Sequence, residues 1–148
     1  MLARLTLAFV LACALPVAAV AADKVHRLAL QISDDTPEKM TAVLNVAANV
    51  SRHYSDLGEE IEIRIVAFNA GLYMLRTDKS PVLVRLKSVS ESLHNVSFEA
   101  CGNTRDSMAR NEGRKPEEIP LLPNAKIVQA GVVSLIELSE KGWTIVRP

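Results

Sequence analysis

Scarcity says most about these 148 residues: there are two cysteines, three histidines and no net charge. Cys13 lies in residues 5–20, an apolar run that follows Arg4 and ends in Ala19-Val20-Ala21, with charged Asp23-Lys24 directly behind. A single positive charge, an apolar stretch and a small-x-small ending make a secretory signal peptide cut just before Ala22. The expectation is that residues 1–21 are removed and that residues 22–148 form one α/β domain in the periplasm. Two alternatives stand beside it. The run is just long enough for a retained membrane anchor, although it is alanine-rich and broken by Pro16. Val10-Leu11-Ala12-Cys13 loosely matches a lipidation signal, yet the residues after it stay apolar.

Cleavage leaves Cys101 as the sole thiol. A dithiol redox cycle cannot close without a second cysteine in the chain. Cysteines in an oxidising compartment usually pair, so a lone one is either buried and inert or kept for chemistry. The histidines offer no pair at ligand spacing, and no metal site is expected. His26 and His94 lie at strand starts, roughly 20 Å from the carboxyl ends, and His53 lies on a helix, which disfavours a Cys-His hydrolase. Lysine plus arginine equal aspartate plus glutamate at 17 each, and loss of Arg4 tips the balance to one net negative charge. That excludes the basic footprint of a nucleic-acid binder. Neither a G-x-G-x-x-G nor a P-loop pattern occurs, and no cofactor is expected. There is no internal repeat, linker or low-complexity tract.

What is present is an alternation of strands and helices. Residues 25–32 read as a strand, and Ser33-Asp34-Asp35-Thr36-Pro37 opens a helix with Thr36 or Asp35 as cap. Met40, Val43, Leu44, Ala47, Val50, Tyr54 and Leu57 then recur at helical steps up to Gly58. Residues 61–68 form a second strand, followed by the turn Asn69-Ala70-Gly71 and a short helical piece over 72–75. A second helix starts at Ser80-Pro81, with Val82, Leu86, Val89 and Leu93 on one face. Residues 96–101 are the third strand, and Asn103 or Thr104 caps a third helix ending near Gly113. After a proline-bearing loop come a strand over 126–130, a helix over 132–141 that is apolar on most sides and so expected to be well buried, and a strand over 143–147. This order predicts a three-layer α/β/α sandwich with a mostly parallel five-stranded sheet.

Ligands of such sheets sit at the carboxyl ends of the strands. Those ends gather Asp34 with its neighbours Ser33, Asp35 and Thr36; Asn69, Gly71 and Tyr73; the run Cys101 to Thr104; and Gly131 with Ser134. Cys101 is the candidate catalytic residue, because a strand end that turns into a helix N-terminus supplies amide groups and a dipole that stabilise a thiolate. Gly102, Asn103, Thr104, Asn69, Gly71 and Asp34 are the candidate binding residues. The plain alternatives are a small buried cysteine and, for Asp34 and Asp35, a helix-start pair placed favourably on the dipole. Those two carboxylates would also repel a phosphate in the first strand–helix turn, which counts against a flavin.

Phe98-Glu99-Ala100-Cys101-Gly102-Asn103-Thr104 resembles the cysteine segment of the DsrE/DsrF-like family, particularly its exported, mostly uncharacterised branch. Residues 61–68 with Asn69-Ala70-Gly71, and residues 125–133 running into the last helix, support the likeness, which spans most of 25–148. The resemblance implies a five-stranded three-layer fold assembled as trimers or hexamers. In the sulfur-relay members the cysteine matching Cys101 accepts and passes on sulfur. It thus implies a sulfur-carrier or sulfurtransferase-like protein, whose partners are sulfur donor and acceptor proteins or small sulfane-sulfur compounds. Relay members are cytoplasmic, a departure for an exported chain, and the turn at Asn69 is less glycine-rich than in the family. The competing expectation is a non-catalytic binding or assembly module.

Overall fold

Ile61, Ile63 and Ile65 point one way from their strand while Glu62 and Arg64 point the other, and this period of two organises the whole sheet. The computed structural model describes residues 25–148. The expected leader, its expected cleavage site, and the anchor and lipid alternatives lie outside the described residues. Five strands are present: β1 (His26–Ile32), β2 (Ile61–Ala67), β3 (Val96–Cys101), β4 (Ala125–Val128) and β5 (Thr144–Val146). They pair in the order β4-β3-β2-β1-β5, and every pairing is parallel. The sheet is thus wholly parallel rather than mostly so.

Four α-helices connect them: α1 (Pro37–Leu57), α2 (Leu83–Ser92), α3 (Gly102–Asn111) and α4 (Gly131–Glu140). From β1 to β4 the chain steps across the sheet one strand at a time, and then returns to lay β5 beside β1. A parallel crossover is right-handed, so reversing the direction of travel moves the connecting helix to the other face. The two apolar cores agree. Met40, Val43 and Leu44 of α1, Leu86 of α2 and Met108 of α3 join Leu30, Ile63, Ile65 and Phe98 in the larger one. Leu135 and Leu138 of α4 join Ala29, Val66, Phe68, Cys101 and Trp143 in the smaller one.

The helix boundaries follow local chemistry. Thr36 stands at the start of α1 but makes no side-chain capping bond, and Pro37 takes the first helical position, where its missing N–H costs nothing. Gly58 ends the helix at φ 68°, and the N–H of Glu59 reaches back to the Tyr54 carbonyl at 2.9 Å. The turn after β2 is a 3-10 segment, Asn69–Leu75. Gly71 within it is obligatory, since a Cβ there would sit 2.3 Å from the Ile32 carbonyl oxygen.

Two expectations need correction. The third helix is not capped by Asn103 or Thr104: Cys101 itself is the cap and the helix begins at Gly102. The fourth helix is less buried than its composition implied, for Val132, Val133 and Ile136 are each more than half exposed. One helix laid on one sheet face can bury only one stripe, and here that stripe is Leu135 and Leu138. Among the described residues no helix is long and apolar enough to cross a membrane.

Candidate functional site

The loop after β3 leads to one face of the sheet and the loop after β4 to the other. Between the carboxyl ends of such neighbouring strands a crevice opens, the usual ligand position in open α/β sheets. Cys101 lies at that crevice as the last residue of β3. Its side chain falls on the α4 face, with only 5% of its surface exposed. The thiol is therefore buried and opens onto a cavity of about 540 Å³.

Around that cavity stand Asn69 and Tyr73 from the 3-10 segment, Asn103, Thr104, Ser107 and Asn111 from α3, and Gly131 and Val132 from α4. None of the residues lining it is charged. Burial is the largest influence on the thiol and pushes its pKa up. The Thr104 hydroxyl and the N–H groups of Gly131, Thr104 and Asn103 together outweigh that, so the pKa lies below the ordinary cysteine value. Asn103 contributes least, and its N–H already donates to the Gln129 carbonyl at 3.1 Å. Thr104 is itself oriented, because its Oγ1 accepts the Asn69 N–H at 3.0 Å. Asn69 holds a left-handed φ of 49°, a conformation that asparagine tolerates better than most residues. That backbone turn is what aims its N–H at Thr104.

Of the residues expected here, Cys101, Asn103, Thr104 and Asn69 are brought together, while Gly102, Gly71 and Asp34 are not among the cavity's lining. Gly102 packs on the β4 end, where a Cβ would lie 3.1 Å from the Val128 carbonyl oxygen. Gly71 is buried against the end of β1. Asp34 is engaged in ion pairs with Lys39 at 3.0 Å and Arg147 at 2.9 Å, and the hydrogen bonds of Arg147 and then Lys39 hold its pKa below the usual carboxylate range. Ser107 and Asn111 were missed. With Thr104 they form a polar stripe at three- and four-residue steps, a signal present in the sequence.

The histidines sit away from this crevice. His26 bonds Glu59 at 2.7 Å and stacks on Tyr54, and His94 borders a hollow of about 780 Å³ at the amino rim. That hollow is the larger one, but its buried polar groups answer each other: Asn95 donates to the Ser51 hydroxyl at 3.0 Å and to the Ile61 carbonyl at 3.1 Å. No cysteine lines it. The Cys101 crevice is the better candidate on chemistry rather than size.

Fold and site together define a class: a three-layer α/β protein with one thiol at the carboxyl rim of a parallel sheet. No family model and no curated protein matches the chain. A solved structure similar to it is the protein of unknown function MTH1491 from Methanobacterium thermoautotrophicum, with 24% identity and a TM-score of 0.68 over 83% of this chain and 99% of that one. At that identity the likeness concerns the fold.

Proposed function

We propose that this chain is an exported DsrE/DsrF-like protein, processed before Ala22 and active in the periplasm, in which Cys101 accepts and passes on sulfane sulfur. The observation that carries the reading is a thiol with a lowered pKa at the mouth of an uncharged cavity. A thiolate is the nucleophile in sulfur exchange. The Cys101 thiolate attacks the outer sulfur of a donor persulfide, R–S–SH. A new S–S bond forms to Cys101, the donor's S–S bond breaks, and R–S⁻ leaves. An acceptor thiolate then takes the same sulfur and returns Cys101 to its thiolate, so the cycle is redox-neutral and needs one cysteine. The donor is a sulfane-sulfur compound or a partner protein carrying one, in the metabolism of reduced sulfur compounds.

Mass spectrometry of the folded protein after incubation with a polysulfide donor should show an adduct of about 32 Da per added sulfur on the Cys101 peptide. Cys101→Ser should abolish it. Absence of the adduct on wild-type protein, with labelling by iodoacetamide only after denaturation, would leave the second reading: a non-catalytic binding or assembly module. The near-complete burial of Cys101 is what favours that alternative.

The outward residues of α4, Val132, Val133 and Ile136, support a homo-oligomer, a trimer or hexamer as the family resemblance implies. Light scattering should give a multiple of the protomer mass, and Ile136→Lys should lower it.

A further inference from the structure

We infer that Glu99 and Ser134 are positioning residues for Cys101: the buried carboxylate holds the first turn of α4 and keeps Gly131 at the wall of the cavity onto which the sulfur opens. This rests on the reading of Cys101 as a reactive thiol. Glu99 stands two residues before Cys101 on the same face of β3 and is only 3% exposed. A carboxylate so buried is costly unless it is paired and hydrogen-bonded. One of its oxygens accepts from Arg64 on β2 at 3.1 Å, and the other accepts from the Ser134 hydroxyl on α4. Arg64 in turn lies over the Trp143 ring, 4.8 Å from its centroid. One side chain therefore ties β2, β3 and α4 together beside the thiol.

The first turn of α4 depends on such a tie. Val132 and Val133, both within that turn, are more than half exposed, and burial of apolar side chains begins only at Leu135. Gly131 rests directly on Phe68, where a Cβ would come within 3.0 Å of the ring. Phe68 limits movement towards the sheet, and Glu99 through Ser134 limits movement away from it. Ser134 also closes the turn, its N–H donating to the Ala130 carbonyl at 3.0 Å.

Charge alone predicts something different. Tyr73 lines the cavity as a phenol; the charged groups nearby are Glu99 on β3, Arg64 on β2, Lys126 on β4, Glu137 and Lys141 on α4, and Arg105 and Asp106 on α3. None of these charged groups lines the Cys101 cavity. A lone carboxylate near a thiolate raises the thiol's pKa, so removing Glu99 as a mere charge would lower it. Removing the tie would raise it.

The experiment is the pH dependence of iodoacetamide alkylation of Cys101 in the full chain. Ser134→Ala should raise the apparent pKa by about 0.5 to 1 unit and slow labelling at neutral pH about three- to tenfold, and Ser134→Thr should restore it. An unchanged profile in Ser134→Ala beside a lowered wild-type pKa would overturn the tie and leave the sulfur reading intact. So would a downward shift in Glu99→Gln with none in Ser134→Ala. Should wild type itself show no lowered pKa, the sulfur reading falls. Hydrogen exchange of the Val132 to Ser134 amides then decides the tie without the thiol: faster exchange in Ser134→Ala supports it, and equal exchange overturns it.

Discussion

The two faces of the sheet are built to different standards. On the α1–α2 face, Leu30, Ile63, Ile65, Phe98, Met40 and Leu44 are all but sealed from solvent in one continuous apolar core. On the α4 face a smaller cluster shares its space with a thiol and a buried carboxylate. Stability is concentrated on the first face, which leaves the second free to hold polar groups that a well-packed core would exclude. The molecule's two buried full charges among the described residues repeat the contrast. Arg76 is completely buried and is answered by both Asp78 and Glu112, which fastens the 3-10 segment to the end of α3. Glu99 is answered by one half-exposed arginine and one hydroxyl, beside the only described cysteine.

Substitutions in the two cores should separate these roles. Phe98→Ala should cost about 3–5 kcal/mol in urea unfolding while leaving the alkylation profile of the folded protein in place. Leu135→Ala, on the other face, should cost about 2–3 kcal/mol and also raise the apparent pKa of Cys101, since it loosens α4 above the sulfur. A profile moved equally by both substitutions would erase the distinction.

Acid should reveal the Arg76 cluster next. The hydrogen bonds of Arg76, then of Lys79, lower Glu112 from 4.5 to about 2, and Arg76 likewise lowers Asp78. Both carboxylates are depressed in the folded state, so their contribution is present above the unfolded value and is lost as pH falls through the folded one. Unfolding midpoints should therefore decline between about pH 4.5 and pH 2, and Glu112→Gln should flatten that decline.

The smallest effect concerns the thiol's own hydrogen bonds. Thr104→Val removes the hydroxyl that faces the sulfur and leaves the Asn69 N–H without its acceptor. The apparent pKa of Cys101 should rise by about 1 unit, at least as far as in Ser134→Ala because this hydroxyl is the largest of the lowering influences, read from the same alkylation curves, with little change in global stability.

The strand ending at Cys101 was legible from its short run of β-forming residues and from Gly102-Asn103-Thr104 directly behind it. The helix start beside the thiol was legible for the same local reason, although its cap proved to be Cys101 itself. Asp34 stands outside the cavity, and its partner Arg147 lies 113 residues further along the chain, a pairing that no local pattern announces. At Gly71 the approach of the β1 backbone requires the glycine, and turn chemistry alone looks the same when a ligand is the reason.

Sequence by itself determined the fold class, the strand and helix order and the position of the one described thiol, since periodicity and breaker residues act within a few positions of one another. Only the tertiary structure decided that the chain reverses direction after β4, crossing back to lay β5 beside β1. That reversal brings the Gly131 amide to Cys101 and sets Asn69, Tyr73, Ser107 and Asn111 around one cavity. It also placed Ser134 on Glu99, 35 residues away. Such groups meet because crossover handedness dictates which face each helix covers, a property of the whole sheet that no single segment contains.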